Sequence, residues 1–353
     1  MAAAITTTST ISAPINYALM GAFLARANQA CVYPAITQAG RLSSHSGSFT
    51  VKWRRYEQET PTTSALSQLT GNVAFPTRTS SAPSITDVTA AVSKYGDYYL
   101  LNEEVDIVNP QGQDLELAEV LGQQAGRSLN RLARDEVEDN ATQRLVGGVA
   151  GAGSIVSAIT RNAVDGTVKV LHQNSAMKYF SRTNGSQNTG TSPIQEAFMA
   201  ICHVDVRPDV ERLTGFHGVE TYSGQTETMA GEFGYCGLTR FLATEEASST
   251  ADSGGANAAL VSTTGTNIDL YETIFAGRNA VGSVGLDENH PDAPYYADDK
   301  QPTIEVIVHN KGSAGVADAL NELASIGWKF WAKFKITNGN WVRRLTTGAT
   351  AYA

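Results

Sequence analysis

Residues 49–106 read FTVKWRRYEQETPTTSALSQLTGNVAFPTRTSSAPSITDVTAAVSKYGDYYLLNEEVD. Two β-type runs, Phe49–Tyr56 and Ile85–Val92, flank a polar segment rich in Ser, Thr and Pro. A two-stranded ribbon is at best marginal in water, because it cannot bury enough apolar surface by itself. An excursion this long with no core of its own should lean on something else, and another copy of the same chain is the natural support. The expectation is a subunit built to assemble.

The strongest helix signal follows directly. It opens near Asp114, a good N-cap, and runs to about Leu145, with Gly147-Gly148 as its stop. Leu117, Leu121, Ala125, Leu129 and Leu132 recur at three- and four-residue steps and make one apolar stripe. Arg127, Arg131, Arg134, Glu136, Glu138 and Asp139 cover the remaining faces. At about 1.5 Å per residue such a helix would span about 45 Å, longer than a compact domain needs. It reads as a spine.

Further along, Thr167–Leu171 has the form of a strand and Asn174–Ser181 of a short helix, with a loop over 182–193. Ser192-Pro193-Ile194-Gln195 resembles a capping box, yet residues 197–204 read equally well as a buried strand. A short helix is expected from Arg207 to Leu213. Strands are expected over Asp269–Phe275, Asn279–Leu286 and Thr303–His309. Gly315–Ile326 reads as a helix stopped by Gly327. After it Trp328, Phe330, Phe334 and Ile336 alternate with Lys329, Trp331, Lys333 and Lys335. Asn338-Gly339 is a hairpin signal into Trp341–Leu345.

Composition narrows the class. With 353 residues the chain has ample length for a core. Charged residues make up 17%, below the roughly 25% usual in soluble domains, as suits surfaces that become covered by partners. The net charge of −9 leaves no global basic footprint for nucleic acid. Cys31, Cys202 and Cys236 are odd in number and lack metal-ligand spacing, which points to free thiols. The apolar run Ile15–Leu24 is short and interrupted by Asn16 and Gly21, so it reads as an amphipathic helix and not as a membrane span.

No motif for enzymatic chemistry emerges. There is no P-loop, GxSxG, HExxH or CxxC, and Gly148, Gly151 and Gly153 follow a helix, where a phosphate cradle is not expected. His203 with Asp205 could hold a metal or act as a base, but a strand-end His beside a helix-capping Asp explains both. The acidic run Asp287–Asp292 with Asp298 and Asp299 could gather oxygen ligands for calcium, although EF-hand spacing is absent. Lys329, Lys333, Lys335, Arg343 and Arg344 form a basic face on strands expected to pair. It could meet a polyanion, remain solvated, or make subunit contacts. No cofactor is expected.

Read in order, VKWRRYE, LTGNVAFP, VSKYGDYYLLNEEVD, LGQQAGRSLNRLARDEV, AICHVDVRPDVERL, GEFGYCGLTRF, YETIFAGRNAVGSVGL and GSAGVADALNELASIGWKFWAKFKITNGNWVRRL resemble the major capsid proteins typified by coliphage N four, over about residues 45–345. Gly71-Asn72 stands where Glu-Gly is expected, and Val204 replaces the Pro of a His-Pro-Asp motif. The resemblance implies an α+β chain with the Hong Kong 97-type tailed-phage capsid fold. In that fold residues 1–48 would be an N-terminal arm and 49–97 an extended loop. A peripheral domain with the spine helix would occupy 98–165, an axial domain 166–300, and a C-terminal helix and strands 301–353. It further implies hexamers and pentamers of an icosahedral shell around double-stranded DNA, held without sequence-specific binding, in a virion assembled in the host cytoplasm. Scaffolding, portal and decoration proteins would be its partners, with no membrane.

Lys52, Trp53, Arg54, Arg55, Tyr56, Tyr95 and Tyr98 are the inter-subunit contact candidates. Some shells of this fold join Lys to Asn covalently, and Lys52 is the only Lys before Lys94, though nothing around it has the composition of a reactive site. An encapsulin-like compartment is the near alternative. A hydrolase using His203 or the acidic loop, and a nucleic-acid-binding module using Lys329 to Arg344, are the distant ones.

Overall fold

The computed structural model describes residues 32–42, 47–61, 63, 82–108, 113–181, 195–222, 228–229, 231–286, 304–313 and 320–352. A 3-10 turn at Tyr33–Ile36 leads into β1 (Thr37–Leu42). The ribbon is β2 (Thr50–Tyr56) and β3 (Ile85–Ala91), followed by β4 (Ser93–Asn102) and α1 (Glu103–Val108). The spine helix is α2 (Gln113–Asn140), and β5 (Thr142–Leu145) and α3 (Arg161–Gln173) come next. Then follow β6 (Phe198–His203), α4 (Arg207–Glu211), β7 (Phe216–Gly218), β8 (Glu232–Cys236) and β9 (Thr239–Thr244). The chain finishes with β10 (Ser249–Thr250), β11 (Leu270–Ala276), β12 (Val281–Leu286), β13 (Ile304–His309), β14 (Leu323–Ile336) and β15 (Val342–Thr347).

Three sheets result. The ribbon is the antiparallel pair β2–β3, in the register Thr50–Ala91 to Tyr56–Ile85. A five-stranded sheet runs β1-β12-β14-β13 with β4 also on β14. An eight-stranded sheet runs β5-β15-β11-β6-β9-β8-β7, with β10 on β11.

The spine helix packs on the five-stranded sheet. Leu121, Ala125, Leu129, Ala133 and Val137 meet Ile326, Trp328, Phe330 and Phe334 in one buried cluster, which also takes Met199, Ile201, Ile274 and Val342 from the eight-stranded sheet. The other face of the eight-stranded sheet is covered by α3, through Val164, Val168 and Leu171 against Phe198, Ala200, Phe241, Phe275 and Leu345. A sheet covered on both faces loses its alternation. That is why residues 197–204 gave no helical or strand period, and why β6 is buried along nearly all its length.

Several expectations are corrected. The helix ends at Asn140, not Leu145, because Thr142–Leu145 pairs with Arg343–Thr346 as a parallel strand. Asp114 falls inside its first turn, and Glu138 lies in the core at 5% exposure. Thr167–Leu171 is helix, not strand: the window was too short to show that Val164, Val168 and Leu171 share one helical face, and Thr160 caps it by accepting from the Ala163 amide. Asn174–Ser181 is a turn and extended chain, with Phe180 bridging Ala197.

The expected helix over Gly315–Ile326 gives way to strand from Leu323 onward, because β14 is held from both sides, by β4 and by β13. Gly327 is no helix stop. A Cβ there would lie 2.8 Å from that of Tyr98, so the close crossing of the strands requires glycine. Residues 314–319, 182–194 and 1–31 lie outside the described residues, as do the Ser192–Ile194 part of the capping box, the apolar run at 15–24 and Cys31.

Asn338-Gly339 closes no hairpin either. β14 belongs to the five-stranded sheet and β15 to the eight-stranded one, and β11 and β12 are divided in the same way. The two crossovers are tied together. The amides of Thr337 and Asn338 donate to the Ala280 carbonyl, and the Gly277 amide donates to the Trp341 carbonyl at 2.9 Å. Asn338 Oδ1 accepts from the Asn340 amide, an Asx turn that redirects the chain without pairing the flanking strands.

Candidate assembly surface

The alternation of β2 gives the ribbon two unlike faces. Val51, Trp53 and Arg55 turn toward the body of the subunit, while Lys52, Arg54 and Tyr56 turn outward. The Trp53 indole lies across two glycines on neighbouring strands: a Cβ on Gly40 would meet it at 2.9 Å and one on Gly282 at 2.7 Å. Val51 and Trp53 close a small cluster with Leu42, Ala90, Val92 and Val284. Phe49 stacks on Trp331 at 5.7 Å, and Arg55 Nη1 donates to the Thr337 carbonyl at 2.7 Å. The expectation that the ribbon must lean on another copy is thus corrected for its base, which leans on its own subunit. Two strand glycines at 40 and 282 were the available signal, since glycine inside a strand often marks close approach by another group.

The outward face carries a compact charge cluster. Asp87 receives Lys52 at 2.6 Å and Arg54 at 3.0 Å, and those bonds, Arg54 first, hold its carboxyl below the usual range. Beyond it, Tyr56 and Ile85 stand opposite each other across the ribbon, 64% and 43% exposed. They form a solvent-facing aromatic–aliphatic pair at the far end of the described ribbon.

Tyr95 and Tyr98 belong to β4, in the five-stranded sheet, and point to opposite faces of it. Tyr95 packs against Phe330 beneath the spine, the rings tilted by 33° with centroids 5.5 Å apart, whereas Tyr98 is exposed.

The basic face does not form as expected, because its residues are split between two sheets that do not pair. Lys329 reaches Glu305 at 3.1 Å and Lys335 reaches Glu136 at 3.0 Å. Arg344 lies 3.6 Å from Glu272, and Arg343 Nη1 donates to the Gly339 carbonyl. Lys333 has no ionic partner among the described residues. Four of the five cations are thereby engaged within the subunit.

A junction that sequence reading missed lies behind the spine. Glu246 accepts from Arg127 and, at 2.6 Å, from Arg131, while Arg134 Nη1 donates to the Glu246 carbonyl. Burial pushes the Glu246 carboxyl up, but the two arginines outweigh it and the net shift is downward. One turn away, Glu138 Oε1 accepts from Tyr33 Oη at 3.3 Å and from the Ser248 amide at 3.2 Å. Burial raises its pKa to about 7. Asn130 Oδ1 accepts the Val32 and Tyr33 amides, both at 2.9 Å. The helix therefore grips the segment before β1 and the turn after β9. Spacing within the helix showed the arginines but not the partners far away in sequence.

His203 and Asp205 make a local structural contact. His203 Nδ1 accepts from the Asp205 amide at 3.1 Å, Tyr271 Oη donates to Asp205 Oδ2 at 2.9 Å, and burial keeps the imidazole pKa low. No group of three metal-ligating side chains occurs among the described residues. The acidic stretch 287–299 and the Gly71-Asn72 pair lie outside them. Cys202 and Cys236 are free and buried.

No family model and no curated relative matches the chain. Solved structures do. The capsid of Ralstonia phage GP4 aligns over 91% of this chain and 89% of its own, at 9% identity and a TM-score of 0.61. The capsid of cyanophage P-SCSP1u aligns over the same shares at 10% identity and a TM-score of 0.53. The chain has the Hong Kong 97-type capsid fold. The encapsulin SrpI of Synechococcus elongatus PCC 7942 aligns over 90% of this chain and 88% of its own, at 8% identity and a TM-score of 0.48. Within the capsid fold, the ribbon, the spine helix α2 and the mixed sheets are the features this chain's own packing defines.

Proposed function

We propose that the chain is the major capsid protein of a tailed phage. It assembles into hexamers and pentamers of an icosahedral shell that encloses double-stranded DNA. The observation that carries this reading is the end-to-end likeness to two phage capsid subunits, spanning 91% of the chain. The ribbon supports it from the chain's own chemistry. Its inner face is satisfied at home, and its outer face offers Tyr56, Ile85 and the Lys52–Arg54–Asp87 cluster to a neighbour.

The role is structural and not enzymatic, with no cofactor. The DNA is contained without sequence-specific contact: an acidic subunit, with four of the five cations of Lys329, Lys333, Lys335, Arg343 and Arg344 engaged within it, suits a wall that must not hold its contents tightly. Scaffolding, portal and decoration proteins complete the particle, and the mature location is the virion after assembly in the host cytoplasm.

The test is negative-stain electron microscopy of the purified protein with light scattering alongside. Closed shells or capsomer rings are expected. A monodisperse monomer across salt and pH overturns the reading, and shells filled with a protein cargo in place of DNA replace it with a compartment.

A further inference from the structure

Edge strands expose a row of unpaired main-chain groups, and proteins that stay monomeric blunt them with proline, bulges, short length or cover. Among the described residues β4 shows none of these, and its only charged side chains are Lys94 and Asp97. It is a ten-residue strand without proline, in continuous register with β14, and no strand lies on its outer side among the described residues. Its polarity is fixed. The Glu103 amide continues the ladder by donating to the Glu322 carbonyl, so odd-numbered residues bond toward β14 and even-numbered ones face outward. The Tyr98 amide accordingly finds only the side chain of Asp97.

The same edge is apolar at its centre. Tyr98, Tyr99 and Leu100 are 63%, 38% and 59% exposed, with Leu323 beside them. Its ends carry opposite charge: Lys94 at the start, and Glu103 and Glu104 just past the end.

We propose that β4 is where two copies of this chain join, β4 against β4, antiparallel across a twofold axis. The inference rests on the shell reading and names the contact within it. The register follows from the polarity of the edge. Outward-facing Tyr98 pairs with Leu100 of the other copy and exchanges main-chain hydrogen bonds with it. Tyr99 stands opposite itself, in a non-hydrogen-bonded pair. Lys94 of each copy then comes to the end of the strand where α1 of the other opens with Glu103 and Glu104. A twofold contact must be self-complementary. This strand meets that condition, because its apolar centre maps onto itself and its basic start maps onto the acidic end. A parallel arrangement would set like charges together, and an unrelated apolar peptide would leave Glu104 unanswered, whereas Lys94 already lies over the Trp331 ring of its own subunit, 5.8 Å from its centroid. The joined sheets would form one continuous ten-stranded sheet across the axis.

The experiment is Tyr99→Cys in the full chain, assembled, treated with a mild oxidant and run on a non-reducing gel. The control is Thr89→Cys, on the outward face of the ribbon. Directly opposed residues of a non-hydrogen-bonded pair lie about 4.5 Å apart, within disulfide reach, so dimer about tenfold above the control is expected. Particles with no dimer above the control overturn this contact while leaving the shell reading intact. Absence of particles and of dimer overturns both. A second measurement guards against a poorly folded variant. Lys94→Glu should impair assembly, and adding Glu104→Lys should restore it. Failure of the pair to rescue, with native circular dichroism, also overturns the contact.

Discussion

Replacing Trp53 with alanine separates two origins for the order of the ribbon. If the ribbon is seated on its own subunit, the indole over Gly40 and Gly282 is the main weight holding it there. A partly buried tryptophan covering about 120 Å² contributes about 3 kcal/mol at about 25 cal/mol per Å². That equals the lower end of the range of about 3–5 kcal/mol for truncating fully buried aromatics. The ribbon is a satellite of the fold, so the loss should appear as local opening rather than global unfolding. Amides of β2 and β3 should exchange about a hundredfold faster in the variant, since every 1.4 kcal/mol is about tenfold. Amides of β14 and the spine should keep their protection, and the melting temperature should barely move. The assay is hydrogen exchange of unassembled subunit read by mass spectrometry. Unchanged ribbon exchange, or an equal loss of protection in β14, would refute the seating argument.

Glu138→Gln should flatten a pH dependence. Burial lifts the folded-state pKa from 4.5 to about 7, so the folded protein holds a proton that the unfolded chain releases. The stability tied to that proton is full below pH 4.5 and is lost as pH rises through about 7. The loss reaches about 3 kcal/mol, and urea midpoints measured across that interval should vary less in the variant. Leu121→Pro should prevent folding: Leu121 is wholly buried in the spine, and an interior proline costs about 3 kcal/mol or more. A soluble variant with native circular dichroism would contradict it. Asp209→Ala removes the acceptor of Tyr352 Oη at 2.6 Å and of the Thr350 amide at 2.8 Å, so the amides of 350–352 should exchange faster while the unfolding free energy falls by about 1–3 kcal/mol.

What the sequence made legible were the elements whose signal is local and repeated. The spine stripe at Leu121, Ala125 and Leu129, the paired runs of the ribbon, and the alternation from Trp328 to Ile336 all carry their period in consecutive residues. Connections were harder. Asn338-Gly339 has hairpin chemistry, yet the backbone groups of Thr337 and Asn338 are claimed by Ala280, which no local window contains. Gly327 reads as a helix stop until Tyr98 is known to cross it. The candidate surface followed the same division. Outward Lys52, Arg54 and Tyr56 could be picked out from alternation, whereas the pairing of Lys329 with Glu305 and of Lys335 with Glu136 needed the fold. The basic residues were visible, but their neutralisation was not.

The tied crossovers between β11–β12 and β14–β15 bear on synthesis as well as on architecture. β14, at the middle of one sheet, and β15, which joins β5 to β11 in the other, are the last two strands along the described residues. Until residue 347 has emerged, the spine has no complete floor and the eight-stranded sheet lacks the link between β11 and β5. Neither sheet can therefore be completed while the chain is shorter than this. The order of strands along the chain thus sets closure of both sheets late in synthesis.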